Sequence, residues 1–222
     1  MRTAILTLFI TMFTASFAFG QMAQGEGVFS LNAGLAFPQG DFADDTGQDA
    51  GGAKMGFGGF AEYDYVIDPS GWLWTSLAGF YIHSIDEDVI STNQDVNVDA
   101  GSWKNIPIMT GVKFQRAASP TVSIFGAGLL GLNYFLPPGA ELSQQQGQTL
   151  VEAELEAEGG FSFGFSIGGG VVINDKIVVS ARILNLGNVE YEGTLTQEGF
   201  QDQEIEGETS IAMFTLSAGI RL

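Results

Sequence analysis

The sequence predicts an all-β fold, an eight-stranded antiparallel up-and-down barrel that crosses a membrane. Apolar residues alternate with small or polar residues over eight segments, as in strands that face lipid on one side. The links between these segments are alternately long and short, and acidic residues gather in the long links. Composition agrees, because 31 glycines and 18 phenylalanines with only 8 Lys and Arg favour strands over helices.

Residues 1–20 are predicted to be a cleaved signal peptide. Arg2 precedes an apolar run from Ala4 to Phe13, and Ala18 and Gly20 supply the small residues that signal peptidase requires. The run is short for a membrane-spanning helix and contains threonines. We therefore expect residues 21–222 to form one barrel domain. Because the chain has no cysteine, it forms no disulfide and carries no lipidated N-terminus.

The eight predicted strands carry the contact with lipid. No later segment has an apolar run long enough for a transmembrane helix, although 45% of the residues are hydrophobic. In the last strand, Leu216 and Ile220 fall on one face, while Ser217 and Arg221 fall on the other. An even number of strands suits a closed antiparallel barrel. The predicted strands are residues 28–37, 53–67, 72–83, 103–114, 121–135, 161–173, 177–191 and 211–222.

The links between the predicted strands indicate the orientation of the barrel. The long links are residues 38–52, 84–102, 136–160 and 192–210. The short links are residues 68–71, 115–120 and 174–176. Membrane barrels have short periplasmic turns and longer external loops, so the long links are predicted to be extracellular. They hold most of the 26 acidic residues, and this acidic crown argues against nucleic acid binding, which needs a basic face.

Acidic residues of the third long link and at the end of the seventh strand predict a carboxylate-lined mouth. Four glutamates at even positions from 152 to 158 alternate with apolar residues in the register of the sixth strand, which is therefore expected to extend above the membrane. Glu190 and Glu192 have the inward parity of the seventh strand. The mouth would collect divalent cations, or it would be only a solvated acidic rim. Its residues are Glu152, Glu154, Glu156, Glu158, Glu190 and Glu192.

Two further features concern the faces of the strands. Tyr63, Tyr65, Trp72 and Trp74 surround the first short link and predict an outward-facing aromatic girdle. Small residues are expected to face the crowded interior. We assign to it Gly126 and Gly128 of the fifth strand and the serines and glycines at even positions from 162 to 170. In the last strand the apolar parity changes between Met213 and Phe214, which predicts a β-bulge.

Five charged residues are predicted to point into the lumen. By strand parity they are Glu62, Asp64, Lys113, Arg182 and Arg221. Charges inside a narrow barrel are costly unless they are paired, so we expect a salt-bridge network in which Glu62 pairs with Arg182 or Lys113. Such a network would fill the lumen, whereas the alternative is a polar path for ions or small solutes.

Four stretches resemble the small outer-membrane β-barrel family, whose members include the transmembrane domain of OmpA and OmpX. They are GLAFPQGDF (34–42), NIPIMTGVKF (105–114), FGAGLLGLNY (125–134) and FTLSAGIRL (214–222). The resemblance spans the mature chain. It implies an outer-membrane location, with membrane lipid and the barrel-assembly machinery as partners. We expect a monomer whose external partner the sequence does not specify.

No motif predicts an enzyme, a cofactor or a metal site. The glycines at positions 126, 128 and 131 match a dinucleotide fingerprint, but strand alternation continues through them where a helix should begin. His83 and Ser84 could resemble a catalytic pair, yet adjacent strand residues point to opposite faces. We interpret His83 as a loop-edge residue. The predicted function is a structural or surface-interaction role, and the alternative is a narrow pore that favours cations.

Overall fold

The computed structural model describes residues 25–47, 49–86, 96–146, 149–197 and 203–222, so the predicted signal peptide lies outside it. The described residues form one antiparallel sheet of eleven strands. A 3-10 turn, Gly40–Phe42, follows the first strand. The strands are β1 (Gly27–Gln39), β2 (Gly56–Asp68), β3 (Trp72–Ser84), β4 (Val96–Ala100), β5 (Ser102–Ser119), β6 (Val122–Leu136), β7 (Ala140–Gln146), β8 (Thr149–Ala157), β9 (Gly160–Ile173), β10 (Ile177–Gln197) and β11 (Gln203–Arg221).

Eight of these strands close into a barrel. They follow one another around the ring in the order β1, β2, β3, β5, β6, β9, β10 and β11, and β11 pairs back with β1. Every neighbouring pair is antiparallel. The predicted eight-stranded up-and-down barrel is therefore confirmed. Closure leaves no sheet edge within the ring, as a protein surrounded by lipid requires.

Tight turns join the strands at one end of the barrel, here called the short-turn end. In the first, the Asp68 carboxylate accepts a hydrogen bond from the Ser70 amide (2.6 Å), and Gly71 has a positive φ of 111°. In the third, Asn174 and Asp175 both have positive φ, 52° and 55°, as a two-residue hairpin turn requires. The long links leave from the opposite, long-loop end.

Beyond the long-loop end, strands β4, β7 and β8 join the upper parts of β10 and β11 in an overhanging sheet. β8 pairs with residues 193–197 of β10, β7 pairs with β8, and β4 pairs with β7. The links that contain β4 and β7 were predicted as loops, and that prediction was wrong for these two strands. The expected extension of the sixth strand is confirmed, because β9 and β8 keep one register along β10, interrupted near Glu158 and Gly159.

The β-bulge lies in β10 and not in β11, where it was predicted. The pairing of β10 with β11 shifts between Asn185 and Asn188, and Gly187 has a φ of 86°. β11 pairs regularly with β1, and the parity change in β11 arises because apolar Met213 also faces the interior. The bulge reverses the facing of the residues that follow it. Val189 is therefore buried, and Glu190 and Glu192 are exposed, contrary to their predicted inward parity.

The outer surface of the ring carries a continuous apolar belt. Tyr63, Tyr65, Trp72 and Trp74 are between 43% and 48% exposed, as predicted for an aromatic girdle at the short-turn end. Such a belt would be an unusually large apolar surface in water, whereas it suits the hydrocarbon of a membrane. Its other members include Leu35, Phe57, Phe80, Ile108, Leu130, Leu132, Phe163, Ile167, Ile183 and Leu216. Among the described residues, no helix is long and apolar enough to cross a membrane.

The predicted facing of the small residues was right on β9 and wrong on β6. Gly126 and Gly128 face outward, so their predicted inward facing was wrong; Phe125, Ala127 and Leu129 are buried instead. On β9, Ser166 and Gly168 face inward, as predicted. A Cβ atom at Gly168 would lie 2.5 Å from Cγ of Arg182. The inward glycine thus leaves room for a large charged side chain on the neighbouring strand.

Candidate functional site

The five charged residues predicted to face the lumen lie together inside the barrel, and we call them the charge cluster. Lys113 Nζ on β5 donates to Glu62 and, at 2.8 Å, to Asp64 Oδ2, both on β2. Arg182 Nη2 on β10 donates to the other oxygen of Glu62. Arg221 on β11 lies 3.6 Å from Asp64 Oδ2. Glu62 therefore contacts both of the cations that the sequence offered as alternatives.

Neighbouring side chains hold the charge cluster in place. Thr75 Oγ1 donates to Asp64 Oδ1 at 2.6 Å, so the second carboxylate oxygen also has a partner. The Lys113 ammonium lies 4.6 Å from the ring centroid of Phe125, and the Arg182 guanidinium lies 5.1 Å from that of Phe60. Cation–π contacts of this kind stabilise desolvated cations. All five charged residues of the cluster are at least nine-tenths buried.

A layer of apolar side chains, here called the apolar core, fills the lumen between the charge cluster and the long-loop end. Members include Leu77, Met109, Leu129, Phe135, Leu184, Ile211 and Met213, each no more than 2% exposed. Polar side chains are buried at the same level, among them Asn105 and Asn133, where Asn133 Nδ2 donates to Asn105 Oδ1 at 3.0 Å. The lumen is thus closed by two layers of different chemistry.

Aromatic residues, here called the aromatic cap, cover the apolar core at the long-loop end. Phe42, from the first long link, is fully buried and packs edge-on against His83 and Trp103, at centroid distances of 5.2 and 5.6 Å. Trp103 Nε1 donates to the Gly51 carbonyl at 2.8 Å, and Tyr191 packs against Trp103. The sequence reasoning missed this cap, because Phe42 lies in a link without periodicity.

His83 lies at the end of β3, at the edge of the second long link, where it belongs to the aromatic cap and is fully buried. Its Nδ1 lies 3.0 Å from the Lys54 carbonyl oxygen. Ser84 is exposed on the opposite face of β3, as the alternation of strand residues predicts. The two side chains therefore do not face each other. Packing against Phe42 explains the burial of this histidine at the end of its strand.

The lumen widens below the charge cluster, at the short-turn end. A cavity of about 720 Å³ lies there, bordered by residues that include Asp68, Gln115, Lys176 and Arg221. Arg221 Nη2 donates to Gln115 Oε1 at 2.7 Å and so forms part of the boundary between this cavity and the charge cluster. The space is a vestibule that ends at the buried charges.

The overhanging sheet has one acidic and one largely apolar face. Ala140, Leu142, Leu155 and Ala157 are buried or half-buried on its inner face. Its described strands contain no lysine or arginine. The side chain of Glu152 lies outside the described residues, and Glu158 is exposed in the break between β8 and β9. Exposed carboxylates on the strands are Asp99, Glu141, Glu154, Glu156, Glu190, Glu192, Glu204, Glu206 and Glu208.

The register brings carboxylates opposite one another on the acidic face. Glu190 lies opposite Glu208, and Glu192 lies opposite Glu206. Like charges in directly opposite positions destabilise a strand pair. Glu158, Glu190, Glu192, Glu206 and Glu208 also border an open recess of about 910 Å³, together with Asp49. Among the described residues, no group of three or more His, Asp or Glu side chains is arranged to hold a metal ion.

Comparison with known proteins identifies the fold. No protein-family model and no curated protein matches the sequence. A major outer membrane protein from Thermus thermophilus matches with a TM-score of 0.53 and 11% identity, over 89% of this chain and 100% of that one. The outer membrane protein OprG from Pseudomonas aeruginosa matches with a TM-score of 0.51 and 10% identity, over 90% and 97% of the two chains.

At such low identity these similarities establish the fold alone. They agree with the resemblance that the sequence suggested and with the apolar belt on the outer surface of the ring. In barrels of this kind the long loops lie outside the cell and the short turns face the periplasm, which assigns the two ends of the molecule. The chain therefore has the fold of the small outer-membrane β-barrel proteins, and its apolar belt suits a membrane.

Proposed function

We propose that this protein is a non-conducting and non-enzymatic barrel that anchors an acidic sheet at the cell surface for contact with external partners. The closed lumen is the observation that carries this proposal. The charge cluster and the apolar core lie one above the other, and their side chains are almost fully buried. An eight-stranded barrel is only wide enough to be filled by side chains, and this filling supports a lumen that does not conduct ions.

The overhanging sheet supplies the contact surface. Its acidic face extends beyond the membrane belt and contains no basic residue in the described strands. A surface of one sign of charge attracts partners of the opposite sign and raises their rate of encounter. We therefore propose that the external partners are cationic. A non-enzymatic role is supported by His83, which is enclosed by the aromatic cap and faces away from Ser84.

Conductance in planar bilayers tests the closed barrel against the alternative of a cation-favouring pore. We expect no steady current from the unmodified protein at neutral pH. The paired substitution Met109→Ala and Leu184→Ala thins the apolar core and serves as a control for a less obstructed lumen. Large, steady and cation-selective currents from the unmodified protein would contradict the closed barrel and favour the pore.

Adhesion of intact cells tests the contact surface separately. Cells that display the protein should adhere to a polylysine-coated surface more strongly than cells that display a variant with Glu154, Glu156, Glu190, Glu192, Glu204 and Glu206 changed to Gln. The difference should decrease with added salt, because exposed charges are screened. Equal adhesion of the two kinds of cell at low salt would contradict a role for the acidic face.

A further inference from the structure

The upper part of β11 has a free edge. β10 pairs with β11 over most of its length, whereas β1 pairs only with residues 212–221. Within the described part of the chain, no strand pairs with the other side of residues 203–210. We call these residues the free β11 edge. The 3-10 turn that follows β1 contacts β11, and Thr209 is buried. Residues 203–208 therefore offer a stretch of roughly 20 Å in extended conformation.

The direction of the backbone groups on this edge follows from one hydrogen bond. The Glu158 amide donates to the Glu192 carbonyl at 2.9 Å, so the backbone groups of Glu192 point away from β11. Glu192 lies opposite Glu206, which makes the two residues a non-hydrogen-bonded pair of the antiparallel ladder. The N–H and C=O groups of Glu206 therefore point toward the free side. By alternation, those of Glu204 and Glu208 point the same way.

The side chains along the edge have a regular pattern. Glu204, Glu206 and Glu208 lie on the acidic face and are exposed. Ile205 lies on the other face and is 40% exposed, which is unusual for a large apolar residue above the membrane belt. The edge borders the open recess of about 910 Å³ that also contacts Asp49. A strand added here would meet carboxylates on one face and an apolar side chain on the other.

We propose that the free β11 edge binds an extended cationic segment of a partner protein as an additional strand. The segment would alternate basic residues, which face the glutamates, with apolar residues, which face Ile205. Recognition through an exposed edge uses backbone hydrogen bonds for affinity and alternate side chains for specificity. This inference rests on the proposed contact function and adds the mode of binding and the chemistry of the partner.

A second copy of the chain does not suit the same edge. Two β11 edges placed side by side would bring glutamates of one chain against glutamates of the other. Like charges on an edge strand are a known device against pairing between identical sheets. The charge pattern therefore favours a cationic partner over self-association.

Binding of synthetic peptides to the full chain in nanodiscs of zwitterionic lipid tests the inference. The probe is a seven-residue peptide in which lysine and valine alternate, with blocked termini. The control peptide has the same composition, with all lysines before all valines. We expect the alternating peptide to bind at least about tenfold more tightly, because only it matches both faces of the edge. Empty nanodiscs control for binding to lipid.

Two substitutions at one position separate the backbone from the charge. Glu206→Pro removes both a carboxylate and an outward N–H, whereas Glu206→Gln removes only the carboxylate. Proline is tolerated on edge strands where its nitrogen faces solvent, and heat-modifiable gel migration verifies folding. We expect the Glu206→Pro variant to bind the alternating peptide at least about tenfold more weakly than the Glu206→Gln variant does. Methylation of alternate backbone nitrogens of the peptide should have the same effect on the unmodified protein.

The outcomes distinguish this inference from the proposed function. Equal binding of the alternating and control peptides would overturn strand addition and leave the acidic contact surface intact. If neither peptide binds, both strand addition and the proposed acidic contact surface would be overturned. Dimers of the nanodisc-embedded chain that Glu206→Pro dissociates would show that the edge binds a second copy, which also overturns the inference.

Discussion

At the scale of single residues, Glu62 is the carboxylate whose loss should destabilise the barrel most. It accepts hydrogen bonds from Lys113 and Arg182, and both cations are about 2% exposed. Strand parity was enough to predict that these side chains point inward. It did not decide whether Lys113 or Arg182 pairs with Glu62. That contact also depends on the distance across the lumen between the strands and on the room that Gly168 leaves for Arg182.

A double-mutant cycle measures the interaction between Glu62 and Arg182. Glu62→Gln and Arg182→Met should each lower the free energy of unfolding by about 3–5 kcal/mol, because each leaves a buried charge uncompensated. The double variant should recover part of this loss. The measurement is urea unfolding in detergent. A parallel cycle of Glu62→Gln with Arg116→Met should be additive, since Arg116 is exposed. Additivity in the first cycle as well would exclude the pairing.

At the scale of single elements, the bulge of β10 decides which way its upper half faces. Parity counted from Arg182 places Glu190 and Glu192 inside, and the extra residue near Gly187 places them outside. The only local signal was a glycine between Asn185 and Asn188, which sequence reasoning did not use. Bulges are hard to predict because one inserted residue leaves the composition of the strand unchanged.

Gly187→Ala should destabilise the barrel by about 1–3 kcal/mol, because the residue has a φ of 86° and a Cβ would lie 2.4 Å from the Phe163 carbonyl oxygen. The matched control is Gly126→Ala, whose Cβ would have no neighbour nearer than 4.0 Å. Its effect should stay within about 0.5 kcal/mol. Both are measured by urea unfolding in detergent. Equal losses of unfolding free energy for Gly187→Ala and Gly126→Ala would contradict the expected strain at the bulge.

The first short turn should make a small acid-dependent contribution to stability. Hydrogen bonds from the Ser70 backbone and side chain lower the pKa of the Asp68 carboxyl. A lowered folded pKa gives stability that is present above the unfolded value of about 3.9 and is lost as pH falls through the folded value. Asp68→Asn should therefore lose less stability than the unmodified protein between neutral pH and about pH 3. Identical pH profiles of unfolding for the two proteins would argue against this coupling.

At the scale of the whole molecule, turn lengths and strand parity predicted the ring, its girdle and its orientation. They did not predict the overhanging sheet, because β4 and β7 pair across a long stretch of sequence and β4 has only five residues. The aromatic cap was missed for a related reason. Phe42 reaches Trp103 through the fold of a link, and no local pattern encodes that contact.

The orientation can be checked with single cysteines, since the natural chain has none. Glu156→Cys on the overhanging sheet should react with a membrane-impermeant maleimide on intact cells, because the residue is exposed on the extracellular side. Ser70→Cys in the first short turn should react only after the outer membrane is permeabilised. Labelling of Ser70→Cys alone on intact cells would invert the assigned topology.

The two closed layers of the lumen lie on the membrane side of the aromatic cap, and the overhanging sheet lies beyond it. In the proposed closed barrel, the filling of the lumen therefore does not depend on the part of the protein that meets the environment.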